Sequence, residues 1–237
     1  MKPWDANFNT TIDTHLVSSY EEFKVYDRFH FIREAMQRNG INKGEFLDIG
    51  CAKGEFIYYL KGYFPKLRFT GIDISAELIS KARQEPRLQD VIFYVADAQD
   101  FNLIKFFDCV LMSGILSIFD DLTTILGQMI KHLKTGGCGY IFGCFNENEI
   151  DVLVRFKVHG TSEWQSGFNQ FSLRTINEAL APLCKQIKCR KFSLSIDLPQ
   201  KKNSSNSYTL TTKEKGRIIT NGINIITDFY LIEFTKA

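Results

Sequence analysis

The feature that most restricts the fold of this chain is a regular alternation of short apolar runs and amphipathic segments between residues 45 and 144. Because continuous apolar strands separated by helices are buried on both faces, the alternation predicts a parallel sheet with helices on either side. The predicted strands are 45–49, 68–73, 91–95, 107–112 and a fifth that ends near 144, and the predicted helices are 54–61, 75–84 and one from Asp120 or Asp121 to Lys134.

The segments on either side of this core add further elements. Ser18 and Ser19 each have a glutamate three residues later, which is a capping-box pattern, and Gly40 offers a stop, so a helix is expected before the first strand. Residues 146–170 are polar and aromatic without a clear period. A helix at 173–183, a strand at 187–198, a β-hairpin at 208–220 with Gly216 at its turn and a last strand at 223–234 are predicted to follow.

Together these elements predict one α/β domain over residues 1–237. The expected architecture is a Rossmann-like three-layer αβα sandwich with a mostly parallel sheet of about seven strands, an added N-terminal helix and a C-terminal β-hairpin. Residues 1–40 would form a helical cap, 41–145 the ligand-binding core, 146–170 an insertion that contacts a substrate, and 171–237 the C-terminal helix and strands.

Composition excludes several classes of protein. The net charge of +2 is too small to indicate a nucleic-acid partner, and no apolar run reaches the length of about 20 residues that spans a bilayer. The N-terminus has no apolar region typical of a secretory signal. The six cysteines are scattered without a CxxC pair, which predicts reduced thiols in a cytoplasmic protein and no metal site. The oligomeric state stays open between monomer and homodimer.

The stretch LDIGCAKGEF lies where the first predicted strand meets its helix. A phosphate-binding P-loop requires GxxxxGK followed by Ser or Thr, but here the second glycine comes one residue early and Lys53 precedes it. A dinucleotide fingerprint requires GxGxxG, whereas the frame here is Gly50, Ala52 and Gly54. Asp48 directly precedes the turn and would repel a pyrophosphate. The turn therefore predicts a ligand that is neither a nucleoside triphosphate nor a dinucleotide.

Acidic residues end three of the predicted strands: Asp48, Asp73 and Asp97. Ligands of open parallel sheets bind beyond the carboxyl ends of the strands, so we expect these carboxylates to meet at one site. Three carboxylates there would suit a ligand with an ammonium group, a ribose diol and an exocyclic amine. S-adenosylmethionine carries all three groups, together with a sulfonium.

At these residues the chain resembles the class I S-adenosylmethionine-dependent methyltransferases, through LDIGCAKG, FTGIDISAELISKA, FYVADAQDF and FFDCVLMSGILSIFDDL in the expected order. The resemblance covers roughly residues 45–145 and implies S-adenosylmethionine as cofactor. The methionine part of the cofactor would be framed by the residues of the turn: Asp48, Gly50, Cys51, Ala52 and Gly54. The resemblance also implies that Met112 and Ser113 lie beneath this part. It further implies that Asp73 binds the ribose hydroxyls with Ile74 against the adenine, and that Asp97 accepts a hydrogen bond from the adenine amine with Ala98 beside it.

The residues after the fourth strand bear on the acceptor. The chain has LMSGILSIF where base-methylating members of the family carry an Asn/Asp-Pro-Pro-aromatic motif, so nucleic-acid substrates are disfavoured. No histidine occupies that segment either, and His159 in the insertion is the candidate general base. A lone histidine in a loop is also typical of a solvated surface.

The additions to the core are expected to recognise the acceptor. A small polar molecule methylated at O or N is predicted, because aromatic and amide side chains suit a polar ring. The alternatives are a methyltransferase that acts on RNA or protein and a non-catalytic cofactor-binding subunit. The candidate contacts are Tyr20, Tyr26 and Arg28 of the N-terminal segment and Arg155, Trp164 and Asn169 of the insertion.

Overall fold

The computed structural model describes residues 26–194, 196–200 and 207–237. The helices are α1 (Asp27–Arg38), α2 (Glu55–Lys61), α3 (Ala76–Gln84), α4 (Leu122–His132) and α5 (Leu173–Leu180), with 3₁₀ turns at Pro86–Leu88 and Leu116–Ile118. The strands are β1 (Lys43–Ile49), β2 (Lys66–Asp73), β3 (Ile92–Val95), β4 (Phe107–Ser113), β5 (Leu133–Asn146), β6 (Arg155–Phe156), β7 (Gln165–Ser166), β8 (Phe171–Ser172), β9 (Cys184–Phe192), β10 (Ser207–Thr212), β11 (Gly216–Asn221) and β12 (Phe229–Lys236).

The central sheet follows the order β3-β2-β1-β4-β5-β12-β9, and β8 extends it by pairing with the end of β5. Strands β1 to β5 are parallel to one another, whereas β12 runs antiparallel to both β5 and β9. The predicted Rossmann-like architecture with a mostly parallel sheet is confirmed. Because β12 lies between β5 and β9, the C-terminal residues complete the same sheet.

Alternate residues of each central strand enter two separate hydrophobic layers. In β1, Phe46 belongs to the layer beneath α1, α2 and α3, and Leu47 belongs to the layer beneath α4 and α5. Both side chains are fully buried. This alternation is why the central strands β1 and β4 read as continuous apolar runs, since both of their faces are covered.

Local capping explains where the helices begin and end. Ser75 accepts a hydrogen bond from Leu78 N at the start of α3, and Asp121 accepts from Thr123 N and Thr124 N at the start of α4. The left-handed Gly40 ends α1, as expected, because its N–H donates to Gln37 O. The predicted start of this helix before residue 26 lies outside the described residues.

The C-terminal third differs from the sequence-based expectation in two places. The strand predicted at 187–198 is β9, which ends at Phe192, and the strand predicted to start at 223 begins only at Phe229. Asn221 accepts hydrogen bonds from Ile223 N and Ile225 N, which folds residues 222–228 into a return loop instead of a strand. The predicted hairpin is present as β10 and β11, with Gly216 at the end of its turn.

No helix within the described residues is long and apolar enough to cross a membrane.

Candidate functional site

The turn between β1 and α2 is held open by left-handed backbone conformations. Gly50 has φ +79°, Ala52 has φ +49° and Gly54 has φ +81°. Ile72 O accepts from both Gly50 N and Cys51 N, at 2.8 and 2.9 Å, which fixes the turn against the end of β2. A Cβ atom on Gly50 would lie 2.5 Å from Ile115 Cγ2, so the close approach of the two loops requires glycine there.

Asp73, at the end of β2, links the turn to the start of α3. Its Oδ2 accepts from Ala52 N at 2.9 Å and its Oδ1 accepts from Ser75 N at 2.9 Å. The side chain is 9% exposed and faces the cavity described below. Two backbone donors therefore orient this carboxylate at the edge of the cavity.

Asp48 lies beneath the same turn and is buried. Burial and the neighbouring charge of Asp73 raise the pKa of Asp48 to about 7. Burial, together with the charges of Asp48 and Asp73, also raises the pKa of Cys51 well above its usual value. Both effects favour the protonated Cys51 thiol over the nucleophilic thiolate.

The third acidic strand end is Asp97, which follows β3 and is half-buried. Its Oδ1 accepts from Gln99 N at 2.9 Å, and its preceding residue, Ala96, donates to Asp73 O at 2.9 Å. That bond joins the loops after β2 and β3, so Asp73 and Asp97 lie at the same edge of the sheet. Ile74 is 40% exposed between them and offers an apolar surface to a ligand.

These side chains surround one cavity of about 290 Å³ at the carboxyl edge of the sheet. All but Gly54 and Met112 of the predicted cofactor contacts line it. Its walls are partly aromatic and its floor is acidic. The lining residues are Arg28, Phe29, Asp48, Gly50, Cys51, Ala52, Glu55, Phe56, Asp73, Ile74, Leu78, Ala96, Asp97, Ala98, Ser113, Gly114, Ile115, Ile118, Phe119, Phe142 and Phe229.

Met112 is not among the residues that line the cavity. It is the next-to-last residue of β4 and is fully buried in the layer beneath α4 and α5. Ser113, on the opposite face, lines the cavity as expected. Gly54 supports the site from behind, since a Cβ there would lie 2.9 Å from Leu88 and 3.0 Å from Phe93.

The candidate base His159 lies on the surface. It occupies an exposed turn between β6 and β7 and is absent from the cavity lining. Trp164 is 66% exposed on the same hairpin, and Tyr20 lies outside the described residues. Tyr26 is 41% exposed and packs edge-on against Phe29, next to the cavity.

Two other predicted substrate contacts hold the insertion in place instead. Asn169 is 1% exposed, and its amide donates to Phe119 O and Asp120 Oδ1 while its Oδ1 accepts from Val154 N. Arg155 donates to Asp120 Oδ2. These bonds attach the insertion to the loop after β4, whose residues Ile118 and Phe119 line the cavity.

Several lining residues were not identified from the sequence. Glu55 and Phe56 begin α2 directly after the glycine turn, and this position was the signal that could have identified them. Phe142 of β5 and Phe229 of β12 form a stacked pair with ring centroids 5.8 Å apart. No local pattern could identify the second pair, because its members come from strands distant in sequence.

The fold and the cavity define an α/β protein with an acidic ligand site at the carboxyl edge of a parallel sheet. Residues 46–137 match a family model described as a methyltransferase domain. The chain therefore carries a methyltransferase domain of the class I S-adenosylmethionine-dependent type.

Curated relatives are methyltransferases of several kinds. The malonyl-[acyl-carrier protein] O-methyltransferase of Priestia megaterium is 24% identical over 69% of this chain and 63% of its own length. The trans-aconitate 2-methyltransferase of Azoarcus sp. is 30% identical over 38% of this chain and 35% of its own length. The chain thus spans less than two thirds of the length of these relatives.

Among solved structures, the N-methyltransferase NodS from Bradyrhizobium japonicum, in complex with S-adenosyl-L-homocysteine, superposes with a TM-score of 0.58. The match covers 96% of this chain and 97% of that chain at 16% sequence identity. At this identity the likeness shows a shared fold.

Proposed function

We propose that the protein is an S-adenosylmethionine-dependent methyltransferase that transfers a methyl group to an oxygen or nitrogen atom of a small polar molecule. The observation that carries this proposal is the meeting of Asp48, Asp73 and Asp97 with the turn at Gly50 and Ala52 in one cavity. The match of residues 46–137 to a methyltransferase domain supports the same reaction class.

The residues present fit the cofactor. When bound, S-adenosylmethionine supplies an electrophilic methyl group on a sulfonium. Asp73 is oriented by two backbone N–H groups to accept from a ribose diol, and Asp97 is placed to accept from an exocyclic amine. The exposed face of Ile74 would pack against the adenine ring. Asp48 adds an acidic group that favours a cationic ligand over a pyrophosphate.

The chain contributes to methyl transfer by orientation and by excluding water. Methyl transfer needs the nucleophile held in line with the methyl group, and aromatic walls such as Phe119, Phe142 and Phe229 keep that space dry. The described lining residues include no histidine, lysine or tyrosine. We therefore favour an acceptor that needs no strong base, such as a neutral amine or a carboxylate that is already deprotonated at neutral pH.

The names of two relatives indicate which acceptors to test first. One is a malonyl-[acyl-carrier protein] O-methyltransferase and the other a trans-aconitate 2-methyltransferase, so both names contain a carboxylic acid. A carboxylate acceptor also agrees with a cavity whose described lining lacks a neutral base. Carboxylic acids are therefore the first panel, followed by amines.

Calorimetry with S-adenosylhomocysteine, followed by labelling with methyl-labelled S-adenosylmethionine in a metabolite extract, tests the proposal. We expect binding in the micromolar range and label in low-mass species. Label in protein or RNA would replace the small-molecule acceptor with a macromolecular one. Binding without any transfer would indicate a cofactor-binding subunit, and no binding at millimolar ligand would overturn the proposal.

A matched pair of variants makes the labelling specific. Asp73→Asn alters the cavity, whereas Asp100→Asn makes the same change at an exposed position outside the cavity lining. If methyl transfer depends on this site, the amount of labelled product should fall with Asp73→Asn and stay at the wild-type level with Asp100→Asn.

A further inference from the structure

The loop between β3 and β4 carries part of the cavity wall. Ala96, Asp97 and Ala98 line the cavity, and the chain then continues as a loop to the start of β4 at Phe107. The first end of this loop is fixed, because Ala96 N donates to Asp73 O at 2.9 Å. The position of Asp97 therefore also depends on what holds the other end of the loop.

That other end is bound by His132, the last residue of α4. His132 is 1% exposed. Its ring stacks on the ring of Phe101, with centroids 4.2 Å apart and an interplanar angle of 16°. Leu103 N donates a hydrogen bond to His132 Nε2 at 3.2 Å. One buried side chain thus holds the loop through a ring contact and a hydrogen bond.

The hydrogen bonds of His132 require one neutral tautomer. Its Nδ1 lies 2.9 Å from Gln128 O, and Nδ1 carries the proton because a carbonyl oxygen can only accept. Nε2 is then the acceptor for the N–H of Leu103. Protonation of the ring would place an N–H on Nε2, facing the N–H of Leu103. The hydrogen bond that holds the loop would then be lost.

The environment of His132 favours the neutral ring. Burial lowers the pKa of His132 below its ordinary value of 6.5, the hydrogen bond to Gln128 O opposes this shift, and the charges of Lys131 and Lys236 add to it. Lys131 belongs to α4 and Lys236 to β12. Cations therefore face the ring from both of these elements, and they disfavour a second positive charge.

The loop residues that contact the ring carry no charge, since they are Phe101 and Leu103. Of the charged residues near them in the loop, Asp100 is exposed and Lys105 pairs with Glu45 of β1. The folded ring binds a proton less readily than the unfolded one. The contact therefore contributes its full stability above about pH 6.5 and loses it as the pH falls below that value.

We propose that His132 is a positioning residue for the adenine side of the cofactor, which holds the loop after β3 when its ring is neutral and releases the loop when its ring is protonated. Through this loop it fixes Asp97, which would accept from the adenine amine, so the inference rests on the proposed function. His132 itself is not part of the cavity lining. Its effect on the cofactor is exerted through the loop.

Two variants separate the hydrogen bond from the ring contact. His132→Phe keeps a ring that can stack on Phe101 but offers no acceptor to Leu103 N. His132→Gln keeps an acceptor in its amide oxygen but has no group that titrates near neutral pH. His159→Gln is the matched control, because His159 is an exposed histidine outside the cavity lining.

Two measurements are made on each protein from pH 5 to pH 8. The first is hydrogen exchange of residues 97–105 in the ligand-free protein, corrected for the intrinsic exchange rate at each pH. The second is calorimetry with S-adenosylhomocysteine. Wild type and His132→Gln both retain Asp48, so the effect of that carboxyl on the pH dependence cancels when the two proteins are compared.

We expect wild type and His132→Gln to agree above about pH 6.5. Below that value wild type should lose protection of the loop and bind S-adenosylhomocysteine about 3- to 10-fold more weakly than His132→Gln. His132→Phe should show the loosened loop and a similar loss of affinity at every pH, because its ring cannot accept from Leu103 N. His159→Gln should follow wild type throughout.

The inference is overturned if wild type and His132→Gln have the same pH profiles, or if exchange of the loop in His132→Phe equals that of wild type at pH 8. It is also overturned if the loop loosens while the affinity stays unchanged, since the loop would then not position Asp97. If His132→Phe does not fold, as its unfolding temperature would report, the profiles of the other proteins decide. Failure of the proposed function looks different: wild type would not bind S-adenosylhomocysteine at any pH, whereas exchange in the ligand-free protein would still show whether His132 controls the loop.

Discussion

The backbone N–H of Ala52 donates to Asp73 Oδ2 at 2.9 Å, so the turn after β1 is tied to the carboxylate that ends β2. The second oxygen of Asp73 accepts from Ser75 N, the residue that caps α3. One side chain thus fixes a glycine turn, a strand end and a helix start around the cavity. The residue proposed to bind the ribose diol is also the one that holds the site together.

Replacing Asp73 by Asn should weaken both ligand binding and folding. The amide can accept only through Oδ1, so the N–H of Ala52 or of Ser75 loses its acceptor. We expect the affinity for S-adenosylhomocysteine to fall about 10- to 100-fold and the free energy of unfolding to fall by about 1 kcal/mol. Calorimetry and thermal unfolding measure these effects, and Asp100→Asn is the control. Affinity in Asp73→Asn equal to that of Asp100→Asn would contradict the assigned role.

Asp48 should make the stability of the ligand-free protein depend on pH. Its pKa is about 7 in the folded chain, raised by burial and by Asp73, and near 3.8 as its ordinary value. Between these pH values the folded state binds more protons, so the free energy of unfolding falls as pH rises from about 4 to about 7. Asp48→Asn should remove that slope and be more stable than wild type at pH 8. Unfolding temperatures measured from pH 5 to pH 8 on both proteins test this, and identical slopes would contradict it.

The same carboxyl should release a proton when a cationic ligand binds. A positive charge beside Asp48 favours its ionised form, so the affinity for S-adenosylmethionine should rise with pH up to about 7. Calorimetry in buffers of different ionisation enthalpy measures the proton release directly. Asp48→Asn is the control and should show none. Equal proton release from the variant would assign the proton to another group.

The sequence was sufficient to predict the acidic strand ends of the cavity and insufficient to predict its aromatic walls. Asp48, Asp73 and Asp97 each follow an apolar strand, and parallel strands end at one edge, so local patterns predicted their meeting. Phe229 reaches the cavity only because β12 inserts between β5 and β9, which is a tertiary arrangement without a local signal. The bonds of Asn169 to Phe119 and Val154 likewise depend on long-range docking of the insertion.

The backbone at Ala52 offers a test of strain in the turn. A left-handed conformation costs a residue with a Cβ roughly 1 kcal/mol, so Ala52→Gly should relieve that cost while adding some entropy to the unfolded chain. We expect a change in the free energy of unfolding of less than about 1 kcal/mol and unchanged affinity for S-adenosylhomocysteine. Gly50→Ala is the opposite case, since its Cβ would clash with Ile115 in a left-handed conformation.

For Gly50→Ala we expect a loss of about 1–3 kcal/mol of stability together with weaker binding of the adenosyl ligand. Denaturant unfolding and calorimetry on the two variants side by side check the contrast. If Gly50→Ala behaves like Ala52→Gly, then the contact between the turn and Ile115 does not define the cavity.

Asn169 should control the acceptor side of the cavity without touching the cofactor side. Asn169→Ala leaves Val154 N and Phe119 O without their side-chain partner, at a cost of about 1–3 kcal/mol for each buried group. The insertion should then detach more often from the loop after β4. Hydrogen exchange should therefore increase across residues 151–170, and methyl transfer should slow, while the affinity for S-adenosylhomocysteine stays within about threefold.

Asn148→Ala is the matched control, because Asn148 is an exposed asparagine of the same insertion whose hydrogen bonds within the described part of the chain are local, to Asn146 and Ile150. Asn169→Asp sharpens the test: it loses the donors and brings a second carboxylate next to Asp120, which should loosen the insertion further. Exchange in the insertion measured at equal pH would then rank Asn169→Asp above Asn169→Ala, with Asn148→Ala close to wild type. If hydrogen exchange in the insertion does not change in either Asn169 variant, the insertion is held by other contacts. Asn169 is then again a candidate substrate contact.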